Sequence, residues 1–243
     1  MRFELSTEEA DAQRAAGQQA YLKLPEWRFL GLRNPQVQRQ VKAWLRQHKE
    51  LTREQLLEVV EELWSEHQGQ PVWERRLAAA ELLKLRSKLL IREDVEMLER
   101  LLRSCHTWAL VDVIAPRPLE DLDRRYDLTP VLDRWIEDED FWIRRSALLV
   151  HLKPLSQGEG DWDRFTRYAE ATLHESEFFV RKAIGWVLRS TSYKRPELVA
   201  AWMKPRAHRA SGVTVREAVK RLDEADRAEI LERYKKRRSS MAP

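Results

Sequence analysis

The chain has 243 residues, and 44 Lys and Arg against 40 Asp and Glu give it a formal net charge of +4, which is informative only if the charge gathers on one face. A single cysteine, Cys105, excludes an intramolecular disulfide, and the Cys and His spacings match no zinc site. No apolar run is long enough to cross a membrane and no signal peptide precedes Phe3, so we expect a soluble, cytoplasmic protein.

Helical periodicity predicts an all-α chain, since alternating Val, Ile and Thr runs are missing and only seven glycines occur. The first helix is predicted to begin at a capping box, Ser6 to Glu9, and to run to Leu24 before Pro25. Proline and glycine then divide the chain into segments that suit helix–turn–helix units. These breaks lie at Asn34-Pro35, Gln70-Pro71, Pro116 to Pro118, Thr129-Pro130, Gly158 to Gly160, Arg195-Pro196 and Lys204-Pro205.

No linker marks a domain boundary, so residues 1–243 are expected to form a single domain of HEAT-like repeats. Residues 235–243 begin with a run of Lys and Arg, and we expect them to be a frayed basic tail.

Four segments share one pattern, in which Arg follows a bulky apolar residue by three positions and Ala follows two later. The intervals between the four arginines are 69, 36 and 35 residues, so a single period of about 35 residues fits all of them if one copy in the first gap is degenerate. Such a period predicts an α-solenoid of stacked helical pairs. The Arg and Ala positions are Arg76 and Ala78, Arg145 and Ala147, Arg181 and Ala183, and Arg216 and Ala218.

The degenerate copy falls at Thr107 to Asp112, where Asp112 occupies the slot that holds Ala elsewhere. Trp108 lies four residues earlier and therefore shares a helical face with Asp112. A carboxylate beside indole faces, with Trp186 as a further candidate, suits the stabilisation of a sugar cation or the orientation of a water. The spacing alone leaves open a helix N-terminal charge or a salt bridge between repeats.

The repeated arginines allow two interpretations. A line of Arg76, Arg145, Arg181 and Arg216 along one wall of the solenoid, reinforced by neighbouring Arg and Lys, would follow a phosphate backbone. Alternatively, each Arg pairs with a carboxylate of the next repeat, such as Glu137 or Glu177, and holds the stack. The pattern favours neither interpretation.

Several blocks resemble the AlkD-type family of DNA alkylation-repair glycosylases, which are built from HEAT-like repeats. The blocks agree in order and spacing over nearly the whole chain, and the one around Ala183 to Trp186 is the most specific. Thr107 and Ala109 depart from the family pattern, which leaves the preferred lesion open. The matching blocks are residues 21–35, Thr107 to Asp112, residues 141–149 and residues 178–189.

The resemblance implies an enzyme, a DNA glycosylase of base-excision repair, that removes cationic N3- or N7-alkylated purines from double-stranded DNA on a curved, concave wall. It implies that no metal and no cofactor is used. We also expect that the protein does not bind a membrane and that it is a monomer. The alternative is a non-catalytic HEAT-repeat scaffold that binds DNA structure or a protein partner. Site residues carried over are Asp112, Trp108 and Trp186 for catalysis, Tyr21 and Arg145 for the substrate, and, from the Arg pattern, Arg76, Arg144, Arg181, Lys182, Arg189 and Arg216 for the DNA backbone.

Overall fold

The computed structural model describes residues 1–240, with side chains to Lys236. Its regular structure is helical, and within this part of the chain β pairing is limited to isolated bridges between Arg28 and Val72 and between His67 and Gln70. The all-α prediction is confirmed. Contacts between Cα atoms divide the chain into two compact units, residues 1–126 and residues 127–243.

The first unit contains seven α-helices and a π-helical segment at Ala115–Leu119, with short 3₁₀ turns at Ser87–Leu89 and Arg92–Asp94. Its helices are α1 (Ala12–Leu22), α2 (Asn34–Gln47), α3 (Arg53–Trp64), α4 (Trp73–Leu85), α5 (Val95–Arg103), α6 (Trp108–Ile114) and α7 (Glu120–Tyr126).

The second unit continues the pattern of short helices joined by tight turns, with a 3₁₀ turn at Val219–Arg221. Its helices are α8 (Thr129–Trp135), α9 (Phe141–Leu149), α10 (Leu152–Ser156), α11 (Trp162–Ala171), α12 (Phe178–Thr191), α13 (Pro196–Met203), α14 (Gly212–Ala218) and α15 (Glu224–Ser240).

The helices that carry the repeated Arg and Ala pack on one another within each unit. In the first unit α4 packs on α6, and in the second unit α9 packs on α12 and α12 on α14. The repeated alanines Ala78, Ala147, Ala183 and Ala218 are all fully buried, because a methyl side chain lets neighbouring helices approach closely. This repeated packing is that of an α-solenoid of HEAT-like helical pairs, as predicted.

The start of the first helix differs from the prediction. Asp11, not Ser6, caps α1, and its carboxylate accepts a hydrogen bond of 2.6 Å from the main-chain N–H of Arg14. Ser6 instead exchanges main-chain hydrogen bonds with the side-chain amide of Gln40, at 2.8 and 3.1 Å. Both residue types are good N-caps, but Gln40 of α2 holds the main chain of Ser6 in a non-helical segment, so the helix begins after Asp11.

Helix α15 continues through most of the predicted basic tail to Ser240, and the fraying of this tail stays a prediction. An ion pair of 2.8 Å between Lys236 and Glu232, one turn apart, supports this helix. The rest of the predicted tail, residues 241–243, lies outside the described residues.

Candidate functional site

Helix α6 positions the two candidate catalytic residues of the first unit. The hydroxyl of Thr107 caps this helix by accepting a hydrogen bond of 3.3 Å from the N–H of Ala109. Leu110, which takes the position held by Arg in the other repeats, is fully buried and anchors the helix. Trp108 and Asp112 are half-buried and lie one turn apart, so the predicted shared face is present.

The helix changes its hydrogen-bonding pattern directly after Asp112. In a regular α-helix the N–H groups of residues 116 and 118 would donate to the carbonyls of Asp112 and Ile114. Both residues are prolines and have no N–H group, so these two hydrogen bonds are missing. The chain passes through the π-helical segment Ala115–Leu119 before α7 begins. Segments of this kind occur often at functional sites. The sequence indicated only a break here.

Tyr21 lies near the end of α1 and is 71% exposed. Its ring meets the ring of Trp108 edge-on, with centroids 6.3 Å apart and an interplanar angle of 83°. Tyr21, Trp108 and, one turn further along α6, Asp112 therefore present two aromatic rings and a carboxylate in one region of the first unit.

The helix that carries Tyr21 is held by polar contacts, since none of its residues is buried. Arg14 donates a hydrogen bond of 2.6 Å to the carbonyl of Gly31. Gln18 and Gln19 each donate one of 2.8 Å, to the carbonyls of Leu32 and Trp27 respectively. The position of Tyr21 thus depends on the loop between α1 and α2.

Glu74 of α4 fixes that loop from beneath. Its fully buried carboxylate accepts hydrogen bonds from the N–H groups of Leu30, Gly31 and Leu32 at 2.9, 2.8 and 3.0 Å. Burial raises the pKa of this carboxyl, although the three N–H groups favour its ionised form. Glu74 therefore indirectly supports the position of Tyr21.

Arg76 is buried beside this loop. Its guanidinium donates to the carbonyls of Trp64 and Ser104 at 3.1 and 2.7 Å, and lies 4.4 Å from the ring centroid of Trp27. Burial lowers the pKa of this guanidinium. The phosphate contact expected of Arg76 does not fit this burial, because its side chain holds three segments of the first unit together.

In the second unit, Arg145 of α9 is also buried. It donates a hydrogen bond to the carbonyl of Phe179, and its guanidinium lies 5.8 Å from the ring centroid of that residue. The contact links α9 to α12 and so helps to hold the stack, through a main-chain carbonyl where the second interpretation expected a carboxylate. The substrate contact expected of Arg145 does not fit this conformation, because its side chain is turned into the packed helices.

Arg144 and Arg181 hold the turn before α12. Arg144 is half-buried and forms an ion pair of 2.6 Å with Glu175, and Arg181 donates to the main-chain carbonyl of the same residue. Glu175 therefore supplies the acidic partner of Arg144, while the repeated Arg181 binds a main-chain carbonyl instead of a carboxylate such as the predicted Glu137 or Glu177.

Helices α12 and α14 come close together because Gly185 has no side chain. A Cβ atom at this position would lie 2.6 Å from the Cβ of Glu217 and 3.1 Å from the carbonyl oxygen of Thr214. The glycine therefore allows Glu217 to reach α12, and it places the following residue, Trp186, beside the charges that Glu217 gathers.

Glu217 pairs with three cations. Its carboxylate, 7% exposed, forms ion pairs with Lys182 and Arg189 of α12 and with Lys220 after α14. Burial opposes its ionisation, but the hydrogen bonds from these cations prevail and hold its pKa below the ordinary range. One buried carboxylate thus gathers three positive groups, two of them expected to bind the DNA backbone.

Trp186 is half-buried and lines an open cleft of about 500 Å³. Tyr193 and Arg221 line the same cleft, and neither was predicted from the sequence. A weak signal was available, because Tyr193 follows Trp186 by seven residues, about two helical turns. Arg216 is exposed and has no ion-pair or hydrogen-bond partner within the described part of the chain.

The candidate residues are divided between the two units, with Tyr21, Arg76, Trp108 and Asp112 in the first and the others in the second. The grouping of Trp186 with Trp108 and Asp112 therefore stays a prediction. Among residues 1–240, no cluster of His, Cys, Asp and Glu could hold a metal ion, and no helix is long and apolar enough to span a membrane.

A protein-family model described as "DNA alkylation repair enzyme" matches residues 4–222. Among solved structures, a predicted DNA alkylation repair enzyme from Enterococcus faecalis is similar, with a TM-score of 0.76 and 24% sequence identity over 88% of this chain and 97% of that one. At this identity the likeness shows the fold alone. The comparison with curated proteins found no match. Because the family model spans most of its length, the chain belongs to the DNA alkylation repair enzyme family.

Proposed function

We propose that the protein is a DNA glycosylase that hydrolyses the N-glycosidic bond of cationic N3- or N7-alkylated purines in duplex DNA. The observation that carries the proposal is the half-buried Asp112, one turn from Trp108, whose ring meets the ring of Tyr21 edge-on. In the other repeats the position of Asp112 holds a fully buried alanine. Asp112 therefore replaces the small apolar residue with which the other repeats pack.

The chemistry requires stabilisation of positive charge on the sugar. An alkylated purine carries a positive charge and leaves readily, so the barrier lies in forming an oxocarbenium-like deoxyribose. In our proposal Asp112 stabilises this cation and positions the attacking water, and the faces of Trp108 and Trp186 favour the same charge. Tyr21 packs against the lesion nucleotide.

Binding of the DNA backbone falls to cations that reach solvent. Arg216 is exposed, and Lys182 and Arg189 keep 37% and 28% of their side chains exposed. Arg144 and Arg181 contribute less in this proposal, because main-chain carbonyls already occupy them. Such binding is independent of sequence and weakens with salt.

The test is single-turnover release of 7-methylguanine from duplex DNA by the native protein and by Asp112→Asn. We expect the variant to bind DNA as the native protein does and to lose rate by about 10²- to 10³-fold, the usual effect of removing one electrostatic stabiliser. The control is Asp163→Asn, the same change at an exposed residue of α11, which should keep the native rate. A rate for Asp112→Asn close to the native one would refute the assignment.

The second candidate is a non-catalytic scaffold, which the buried Arg76 and Arg145 favour because they bind carbonyls within the fold. It predicts no release of 7-methylguanine above the spontaneous rate. It also predicts that duplex DNA leaves the fluorescence of Trp108 and Trp186 unquenched. Both indoles are half-buried rather than part of the fully buried core, which favours the glycosylase.

A further inference from the structure

The cleft in the second unit combines aromatic rings with positive charge. Trp186, Arg189, Ser190 and Tyr193 line it from α12 and its C-terminal turn, and Lys220 and Arg221 line it from the 3₁₀ turn after α14. Its volume of about 500 Å³ lies within the range of sites for small organic ligands.

The charge of this cleft is strongly positive. Its lining includes three cations and no carboxylate. Glu217, which pairs with two of them, is buried and already shared among Lys182, Arg189 and Lys220. Lys220 remains 49% exposed, and Arg221 has no ion-pair partner within the described residues. The cleft therefore favours an anion.

Tyr193 provides a surface for a flat ligand. Its side chain is 58% exposed, so much of the ring is open to solvent. The guanidinium of Arg221 lies 4.9 Å from the ring centroid and orients the ring by a cation–π contact. Exposed aromatic rings beside cations are the arrangement with which proteins bind single-stranded nucleic acid.

We propose that this cleft binds one unpaired deoxynucleotide, with its base stacked on Tyr193 and its phosphodiester held by Lys220 and Arg221. An unpaired nucleotide is favoured over intact duplex because a base in duplex DNA stacks on its neighbours and offers no free face. The inference rests on the proposed function for the nature of the ligand, DNA, and not for the glycosylase step.

The experiment measures the fluorescence anisotropy of fluorescein-labelled hexathymidylate and of an undamaged duplex as the protein is added. Stacking of one base is worth about fivefold to 150-fold in affinity. We expect Tyr193→Ser to weaken binding of the single strand by that factor, and Tyr193→Phe, which keeps the ring, to bind it as the native protein does. Duplex affinity should be nearly unchanged in both variants.

A charge variant tests the phosphate contact. Arg221→Gln should reduce the salt dependence of single-strand binding by about 0.7 in the log–log slope, the contribution of one phosphate. The matched control is Arg167→Gln, since Arg167 also lies 4.9 Å from a tyrosine ring centroid, that of Tyr168, but this ring is fully buried. The control should leave the slope unchanged.

Two results would overturn the proposal. Equal losses of single-strand and duplex affinity in Tyr193→Ser would show that the cleft contacts only the backbone of duplex DNA, and unchanged affinities would show that it binds neither. Neither assay involves base release. If the protein releases no 7-methylguanine but needs Tyr193 to bind the single strand, the glycosylase proposal fails and this one stands. If it releases 7-methylguanine but binds the single strand equally well without Tyr193, this proposal fails and the glycosylase proposal stands.

Discussion

Replacing Gly185 by alanine should push α12 and α14 apart. The new Cβ would lie 2.6 Å from the Cβ of Glu217 and 3.1 Å from the carbonyl oxygen of Thr214. Carbon atoms pack at about 3.5 to 4.0 Å, so the helices must separate by about 1 Å. Both opposing atoms belong to or adjoin the main chain, so rotation of a side chain cannot relieve the contact.

The expected loss follows from two opposing effects. A contact this close is expected to cost about 3 kcal/mol, the upper end of the usual range for overpacking. Alanine regains about 1 kcal/mol of helix propensity over glycine. The net loss in the free energy of unfolding is therefore about 2 kcal/mol, which lowers the midpoint of thermal unfolding by roughly 4 to 8 °C for a chain of this size.

Circular dichroism at 222 nm during heating would measure this midpoint. Gly17→Ala in α1 is the matched control, because a Cβ there meets no atom within 4 Å and only the propensity changes. The control should unfold at or slightly above the native midpoint. A Gly185→Ala protein that unfolds at or above the native midpoint would refute the argument that Gly185 sets the approach of α12 and α14.

Two further predictions concern charged side chains. Arg76→Met should lose about 2 to 4 kcal/mol of stability in urea unfolding, because two carbonyls lose their charged donor, and should leave the salt dependence of DNA binding unchanged. A slope reduced by about 1 would instead place Arg76 on a phosphate. The pKa of Glu217 is lower in the folded protein than its ordinary value of 4.5, so its ionised carboxylate stabilises the fold at any pH above 4.5. This contribution is lost as the pH falls through the pKa of the folded state. Glu217→Gln should therefore destabilise the protein at neutral pH, with a difference from the native protein that shrinks in acid; a difference independent of pH would contradict this.

The repeat architecture could be predicted from the sequence because it depends on local chemistry repeated at a fixed period. One small residue per repeat, such as Ala147 or Ala183, is enough for adjacent helices to pack closely, and the period is visible without knowing any contact. The shared face of Trp108 and Asp112 was equally accessible, since residues four apart on a helix are neighbours.

The environment of each repeated Arg could not be predicted in this way. Arg76 and Arg216 occupy the same position of the repeat, yet Arg76 is buried and Arg216 is exposed. The difference arises from Trp27 and Trp64, whose rings lie 4.4 and 5.2 Å from the guanidinium of Arg76 but belong to other segments of the chain. No local pattern carries that information.

The candidate site shows the same division. Nothing in the spacing of Tyr21 and Trp108 indicates that their rings meet, and only the family resemblance pointed to Tyr21. The contact of Arg221 with Tyr193 likewise depends on how closely α14 approaches α12, which a sequence pattern does not specify.

The polar attachment of α1 has a thermal consequence. Helices that dock through apolar side chains bury hydrophobic surface, and this contribution weakens on cooling. Helix α1 buries none of its residues and is held by hydrogen bonds from Arg14, Gln18 and Gln19, so its release would change the heat capacity little. Its docking therefore depends more on the enthalpy of hydrogen bonds than that of the apolar helices. Warming is therefore expected to release Tyr21 from Trp108 while the apolar contacts of the repeats still hold.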